Sequence, residues 1–381
     1  MKYRFIDLFA GAGGLSEGFI RAGYEAIAHI EMDHYACDSL KTRAAFHYLK
    51  ENEKLDIYED YLKNKKEKTD GSWLWNQVPK HVIDSVIQEA IGKETLPSLF
   101  ERVDKLCNGK PIDMIIGGPP CQAYSVAGRA RLGKKIEEDP RNNLYKFYVE
   151  LRAFSRRGKE RSWLLCTSVI VMFVFENVLG ILTAKGGEPF RDLIRLVREL
   201  DYDIDFREQI ASQHGVLQKR HRVIIVGWQK KRDTQENTSY HYPYLLEEQM
   251  PYKIMKDLFC DLPVIKAGEG TLCGIVHYTK PLADMEYLKA SGIRGVMSFT
   301  TQHIARPNNP TDREIYKQAV EQWNEGKRLR YDKLDPSLQK HKNTQTFLNR
   351  FCVVDPNGVC HTVVAHIAMD GHYYIYPTPN P

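Results

Sequence analysis

The run Tyr3–Phe9 constrains this chain more than any other segment. It reads as a buried strand, and it stops at a glycine turn, Gly11-Ala12-Gly13-Gly14. Leu15–Ala22 then carries apolar residues at 15, 19, 20 and 22, with Gly23 where a helix would stop. Tyr24–Ile30 is the next strand, closed by Glu31. Strand, glycine turn, helix and strand in this order predict an α/β fold with a doubly wound, mostly parallel sheet.

The chain has 381 residues, more than one compact domain usually holds. Residues 1–235 read as the sheet domain. A charged, mostly helical insertion is expected over about 48–110, where Val82, Ile83, Val86, Ile87 and Ala90 mark one helical face. No third strand is placed there. Further strands are expected at Ile112–Ile116, Met172–Phe175 and Val223–Gly227, and an amphipathic helix at Phe190–Leu200. Gly128 to Asn143 is polar and basic and reads as a long loop. After Trp228 tyrosines, prolines and glycines increase, so 236–381 is expected to form a smaller, irregular domain. Thr362–Ala368 and His372–Tyr376 around Asp370-Gly371 carry a hairpin signal.

Net charge is +5, which suits nucleic acid and an ordinary basic enzyme equally well. The eight cysteines form no CxxC pair and no metal-ligand spacing. A reduced, intracellular protein without a metal is therefore expected. The first strand starts at once, so no signal peptide is expected. The longest charge-free apolar run, Trp163 to Phe175, is short of the ~20 residues that span a bilayer, so no membrane is expected.

Four places could carry chemistry. The glycine turn lies at the edge where doubly wound sheets bind ligands. A dinucleotide fingerprint would need glycine at 16, where Ser16 stands. Glu31 could accept both ribose hydroxyls of an adenosine-type ligand that has no pyrophosphate. A turn needed only for packing is the other reading. Cys121 follows Gly117-Gly118-Pro119-Pro120, so a stiff turn would present its thiol; a small buried hydrophobe is the alternative. Glu176-Asn177-Val178 ends another strand, and a carboxylate there is costly unless bonded or functional. Arg220 and Arg222 alternate, so both would leave one face of a strand, as a site or as a solvated basic edge.

In their order along the chain, four stretches resemble the bacterial DNA cytosine-5 methyltransferase family. They are Phe5-Ile6-Asp7-Leu8-Phe9-Ala10-Gly11-Ala12-Gly13-Gly14, Gly118-Pro119-Pro120-Cys121-Gln122-Ala123-Tyr124-Ser125, Phe175-Glu176-Asn177-Val178 and Gln218-Lys219-Arg220-His221-Arg222. The resemblance covers roughly residues 3–227, and the later region resembles the family's target-recognition domain. It implies a Rossmann-like fold and transfer of a methyl group from S-adenosyl-L-methionine to C5 of cytosine in duplex DNA, in a restriction–modification system of the bacterial cytoplasm and nucleoid.

The implied catalytic residues are Cys121 as nucleophile at C6, Glu176 at N3, Arg222 at O2 and Arg220 in support. The implied cofactor residues are Phe9, Gly11, Gly13, Gly14, Leu15, Glu31, Met32, Pro119 and Leu144, with Asp7 supporting the turn. Substrate contacts map onto Pro120, Gln122, Ser125 and Asn177. The basic loop after Cys121 would close on DNA around a flipped base.

The sequence departs from the family at Leu217, where a proline usually stands, and over Ser155–Ile170. It also lacks the family's last motifs, so a C-terminally shortened member is expected, with a second chain supplying the rest. Two other readings stay open: an inactive or partner-dependent DNA-binding fragment, and a tRNA cytosine-5 methyltransferase. The large variable region favours DNA.

Overall fold

A computed structural model describes residues 2–64, 71–118, 171–230, 241–245, 251–295, 297–340, 348, 350–364, 372 and 374–378. The chain divides into two compact units. The first holds residues 1–61, 68–209 and 221–244; the second holds 62–67, 210–220 and 245–381.

The first unit is built on a seven-stranded sheet in the order β3-β2-β1-β4-β5-β8-β6. The strands are β1 (Arg4–Leu8), β2 (Glu25–Glu31), β3 (Val86–Gln88), β4 (Met114–Gly117), β5 (Met172–Asn177), β6 (Tyr202–Ile210) and β8 (His221–Gln229). A short strand of the other unit, β7 (Gln218–Lys219), lies between the last two in sequence. Parallel pairing joins β3, β2, β1, β4 and β5, and β8 pairs antiparallel with β5. All five residues of β1 are buried, as a central strand with both faces covered requires.

Helices cover both faces. On one, α1 (Gly14–Arg21) sets Leu15, Phe19 and Ile20 against Phe5, Met114 and Ile116. The adjacent α2 (His34–Glu51) starts where the Asp33 carboxylate accepts from the Ala36 N–H at 2.8 Å. The other face packs on α3 (Leu96–Cys107) and α4 (Glu188–Glu199). Leu96, Leu99, Val103 and Cys107 form the buried stripe of α3, and Phe190, Leu193 and Val197 that of α4. Both follow the helical period.

Two local expectations are corrected. The supposed helical face over 82–90 is a short helix, Lys80–Asp84, followed by β3. Val86 and Ile87 are consecutive and both buried, paired with His29 and Ile30 of β2. A short buried strand and a helix share such apolar spacing, and the sheet decides between them. β6 was not expected, because Asp203, Asp205, Arg207 and Glu208 make Tyr202–Ile210 read as a polar segment.

In the second unit α5 (Pro310–Asn324) packs Ile315, Tyr316, Ala319 and Val320 on Leu329, Tyr331, Phe351, Val353 and Ile375. Residues 210–220 are tied into this unit. β7 pairs in parallel with Cys360–His361, and the Tyr287 hydroxyl donates to the Gly215 carbonyl at 3.1 Å. Leu217 is buried against Tyr287 and Leu288, so the residue that replaces the family's proline fills a core position. The tip of the expected hairpin lies outside the described residues. In its described parts, residues 362–364 form no strand, the strand Cys360–His361 ends just before them, and Ile375 makes a parallel bridge with Val353.

Candidate active site

The glycine turn leaves β1 through Phe9, whose φ of 56° is left-handed. Such a backbone costs a bulky residue on the order of 1–3 kcal/mol and persists only where its surroundings enforce it. Here they do: the Ala10 N–H donates to the Ile30 carbonyl at 3.1 Å, and the Phe9 side chain packs on the sheet core. Gly13 is also left-handed, at φ 82°, and its carbonyl accepts the first α1 bond from the Glu17 N–H. Ser16, which breaks the dinucleotide fingerprint, is buried and donates to that same carbonyl at 3.2 Å.

Glu31 holds the turn from β2. Its Oε2 accepts from the Gly11 N–H at 2.8 Å, while Oε1 accepts from the Met32 and Asp33 N–H groups at 2.8 and 2.9 Å. The space next to Gly11 and Gly14 is open: a Cβ added at either would touch nothing within 4 Å. A carboxylate beside two glycines that face open space fits an adenosine-type cofactor. Met32 is 68% exposed beside it, whereas Leu15 packs onto the sheet. Among the described residues no hydrogen bond joins Asp7 to the turn. Asp7 is buried, 3.6 Å from the Nδ1 of His29 on the neighbouring strand.

The second cluster forms where β4, β5 and β8 meet. The antiparallel register sets Asn177 opposite Val223, so Arg222, second in β8, lies where Glu176 nearly ends β5. Arg222 Nε donates to Glu176 Oε1 at 2.6 Å, and its NH1 donates to the His221 carbonyl at 2.7 Å. Both side chains are mostly covered, so this charge-assisted bond is less screened than a surface pair. Asn177 is buried, and its Oδ1 accepts from the Val178 N–H at 2.9 Å, which closes the strand end.

Gly117 ends β4 and Gly118 follows it, beside this pair. A Cβ at Gly117 would collide with the Leu8 carbonyl oxygen, and one at Gly118 would lie 2.9 Å from both the Glu176 carbonyl oxygen and Oε2. The backbone that leads to Cys121 thus passes directly against the Glu176 carboxylate. The sequence placed Gly118 in the turn before Cys121 but gave no sign that it would pack against Glu176.

Pro119, Pro120, Cys121, Gln122, Ser125 and Leu144 lie outside the described residues, as does the basic loop. Arg220 does not share a strand with Arg222, as was expected. β7 ends at Lys219, β8 begins at His221, and Arg220 stands in the break, its backbone bonded to Gln218 and Ala211.

The family model of the C-5 cytosine-specific DNA methylase matches residues 3–71 and 96–350, most of the chain. The chain belongs to this family. It is a DNA cytosine-5 methyltransferase, and the family's reaction draws its methyl group from S-adenosylmethionine.

The type II methyltransferase M.Bpa9945I of Bacillus paralicheniformis is 32% identical to it, over 98% of this chain and 86% of that protein. The type II methyltransferase M1.HphI of Haemophilus parahaemolyticus is 26% identical over 77% of this chain and 63% of its own length. A crystal structure of a DNA modification methyltransferase encoded within a prophage (E. coli) is similar in fold, with TM-score 0.54 and 22% identity over all of this chain and 85% of that one. These matches give no support to a second chain completing the methyltransferase. Among the described residues no group of three or more His, Cys, Asp or Glu could hold a metal ion, and no helix is long and apolar enough to cross a membrane.

Proposed function

We propose that this methyltransferase belongs to a type II restriction–modification system, and that it acts through Cys121 on a cytosine flipped out of duplex DNA. C5 of cytosine is a poor nucleophile. Addition of the Cys121 thiolate to C6 makes C5 an enamine-like carbon able to attack an electrophilic methyl group. Glu176 meets N3 and stabilises the electron density that the addition pushes into the ring. Arg222 orients Glu176 and reaches the O2 side of the base. Loss of the C5 proton and then of the Cys121 sulfur frees the product.

The observation that carries this reading is the short Arg222–Glu176 bond beside Gly118, three residues before the thiol. A strained turn alone would not need a charged pair at its side.

S-adenosylmethionine, when bound, supplies that methyl group. Glu31 is the proposed acceptor for one of its ribose hydroxyls, the turn from Phe9 through Leu15 its cradle, and Met32, Pro119 and Leu144 its further contacts. Three N–H bonds take three of the roughly four lone-pair sites of the Glu31 carboxylate and leave one, on Oε2, for a ribose hydroxyl. Pro120, Gln122, Ser125 and Asn177 are the proposed contacts to the flipped nucleotide, with Arg220 in support. The second unit is the proposed reader of DNA sequence.

The test is trapping on duplex DNA that contains 5-fluorocytosine, where the fluorine blocks the final elimination. The wild-type chain should give a complex that survives denaturation, and Cys121→Ala should give none. Methyl transfer by Cys121→Ala at the wild-type rate would refute the covalent route.

A further inference from the structure

The glycine turn is gripped from behind as well as from Glu31. Arg43, on α2, places its NH2 3.4 Å from the Gly13 carbonyl oxygen and 3.3 Å from Glu17 Oε2 on α1. His47, one helical turn on, meets the same Oε2 at 2.9 Å. A Cβ built on Gly13 would lie 3.0 Å from Leu40 Cδ2 and 3.1 Å from Arg43 Nε, so α2 packs flush against the turn. The Gly13 carbonyl therefore faces three donors: the Glu17 N–H, the Ser16 hydroxyl and the Arg43 guanidinium.

We propose that Arg43 is a positioning residue for cofactor binding, holding the Gly11–Gly14 turn in its binding shape from the side away from the ligand. The proposal rests on the reading of that turn as the S-adenosylmethionine site. Glycine has the widest choice of backbone conformations, and this turn holds three glycines in four residues. A turn left free would have to be ordered at the moment of binding, at a cost to affinity. Arg43 removes that cost in advance by fixing the carbonyl of the one glycine that also begins α1. One guanidinium nitrogen, NH2, reaches the carbonyl and the carboxylate together, and the rigid planar group holds it there with less freedom than a lysine's flexible stem. The partly exposed charge pair with Glu17, a carboxylate that His47 holds more closely, would do little for overall stability. The effect belongs instead to the shape of the turn.

The experiment is calorimetric titration of the full chain with S-adenosylmethionine, alongside steady-state kinetics on duplex DNA. Arg43→Ala should raise the cofactor Kd about tenfold. Its kcat at saturating cofactor, its KM for DNA and its cofactor-free melting temperature should stay close to wild type. Arg43→Lys should fall between the two. Wild-type affinity in Arg43→Ala would overturn the proposal. So would a parallel fall of kcat and melting temperature, which marks a general structural role. Glu31→Gln tests the underlying reading separately: it should weaken binding whatever Arg43 does. Full affinity in Glu31→Gln would remove the cofactor reading and this proposal with it.

Discussion

Glu176 and Arg222 are far apart in sequence and 2.6 Å apart in space. On the proposed mechanism, the guanidinium aims the carboxylate at the base, so each needs the other in place. Glu176→Gln keeps the size of the side chain and removes its charge. It should lower kcat by about 10²–10⁴-fold, the usual worth of a positioned acid–base group, with a far smaller change in DNA affinity, as single-turnover methylation would show. Cys37 makes the opposite case. Burial, then the charge of Glu31, pushes its thiol up to about 11, so it stays protonated and inert. Iodoacetamide at pH 8 should leave Cys37 unlabelled in the native chain and label it after denaturation, read by mass spectrometry. Labelling of native Cys37 at the rate of a free thiol would contradict its burial. At this scale the sequence placed Glu31 and Glu176 at strand ends, where the fold has them, Glu31 bonded to the glycine turn and Glu176 to Arg222. It gave no sign that Gly118 packs against Glu176, a closeness that exists only once β4 and β5 are paired. It misjudged Arg220, because a strand break is invisible in an alternating Arg-His-Arg pattern.

At the scale of elements, the order from β1 to β2 was readable because a turn rich in glycine between two apolar runs has few other solutions. β3 and β6 were not. A three-residue strand has no period to detect, and β6 carries charges along a partly exposed edge. The join between α1 and α2 was equally hidden, since Glu17, Arg43 and His47 meet only after both helices pack on the sheet. Burial raises the Glu17 pKa, but the hydrogen bond and charge of His47 outweigh it, with help from Arg43 and Arg21, and the net position is below 4.5. A carboxylate held low stabilises the fold above its unfolded pKa, and the benefit fades as pH falls through the folded value. Glu17→Gln should therefore melt below wild type at pH 7, and the gap should close on acidification below about pH 4.5. A gap that widens in acid, measured by calorimetry across pH, would show that the join works differently.

At the scale of the whole molecule, the chain passes between its two compact units more than once, and residues 210–220 belong with the second although most of their sequence neighbours belong with the first. The attachment is specific: the Leu217 carbonyl accepts from the Cys360 N–H at 3.0 Å, and the Thr362 hydroxyl donates to the Lys219 carbonyl at 2.7 Å. A fragment of residues 245–381 alone lacks this strand and the Leu217 side chain. It should show weak or broadened thermal unfolding, and adding a peptide of residues 210–220 should sharpen and raise the transition. A cooperative transition in the bare fragment, unmoved by the peptide, would show that the second unit does not depend on it.

With the second unit as the proposed reader of DNA sequence, the same embedded strand bears on how that unit could be exchanged. A crossover that exchanged only the tail beyond residue 244 between two relatives would leave Gln218-Lys219 shaped for the old partner and unmatched to the new one. Inheritance of a new tail would then call for a compensating change in a short stretch upstream of Arg222. Hybrids made in the laboratory face the same arithmetic: two grafts should succeed where one fails.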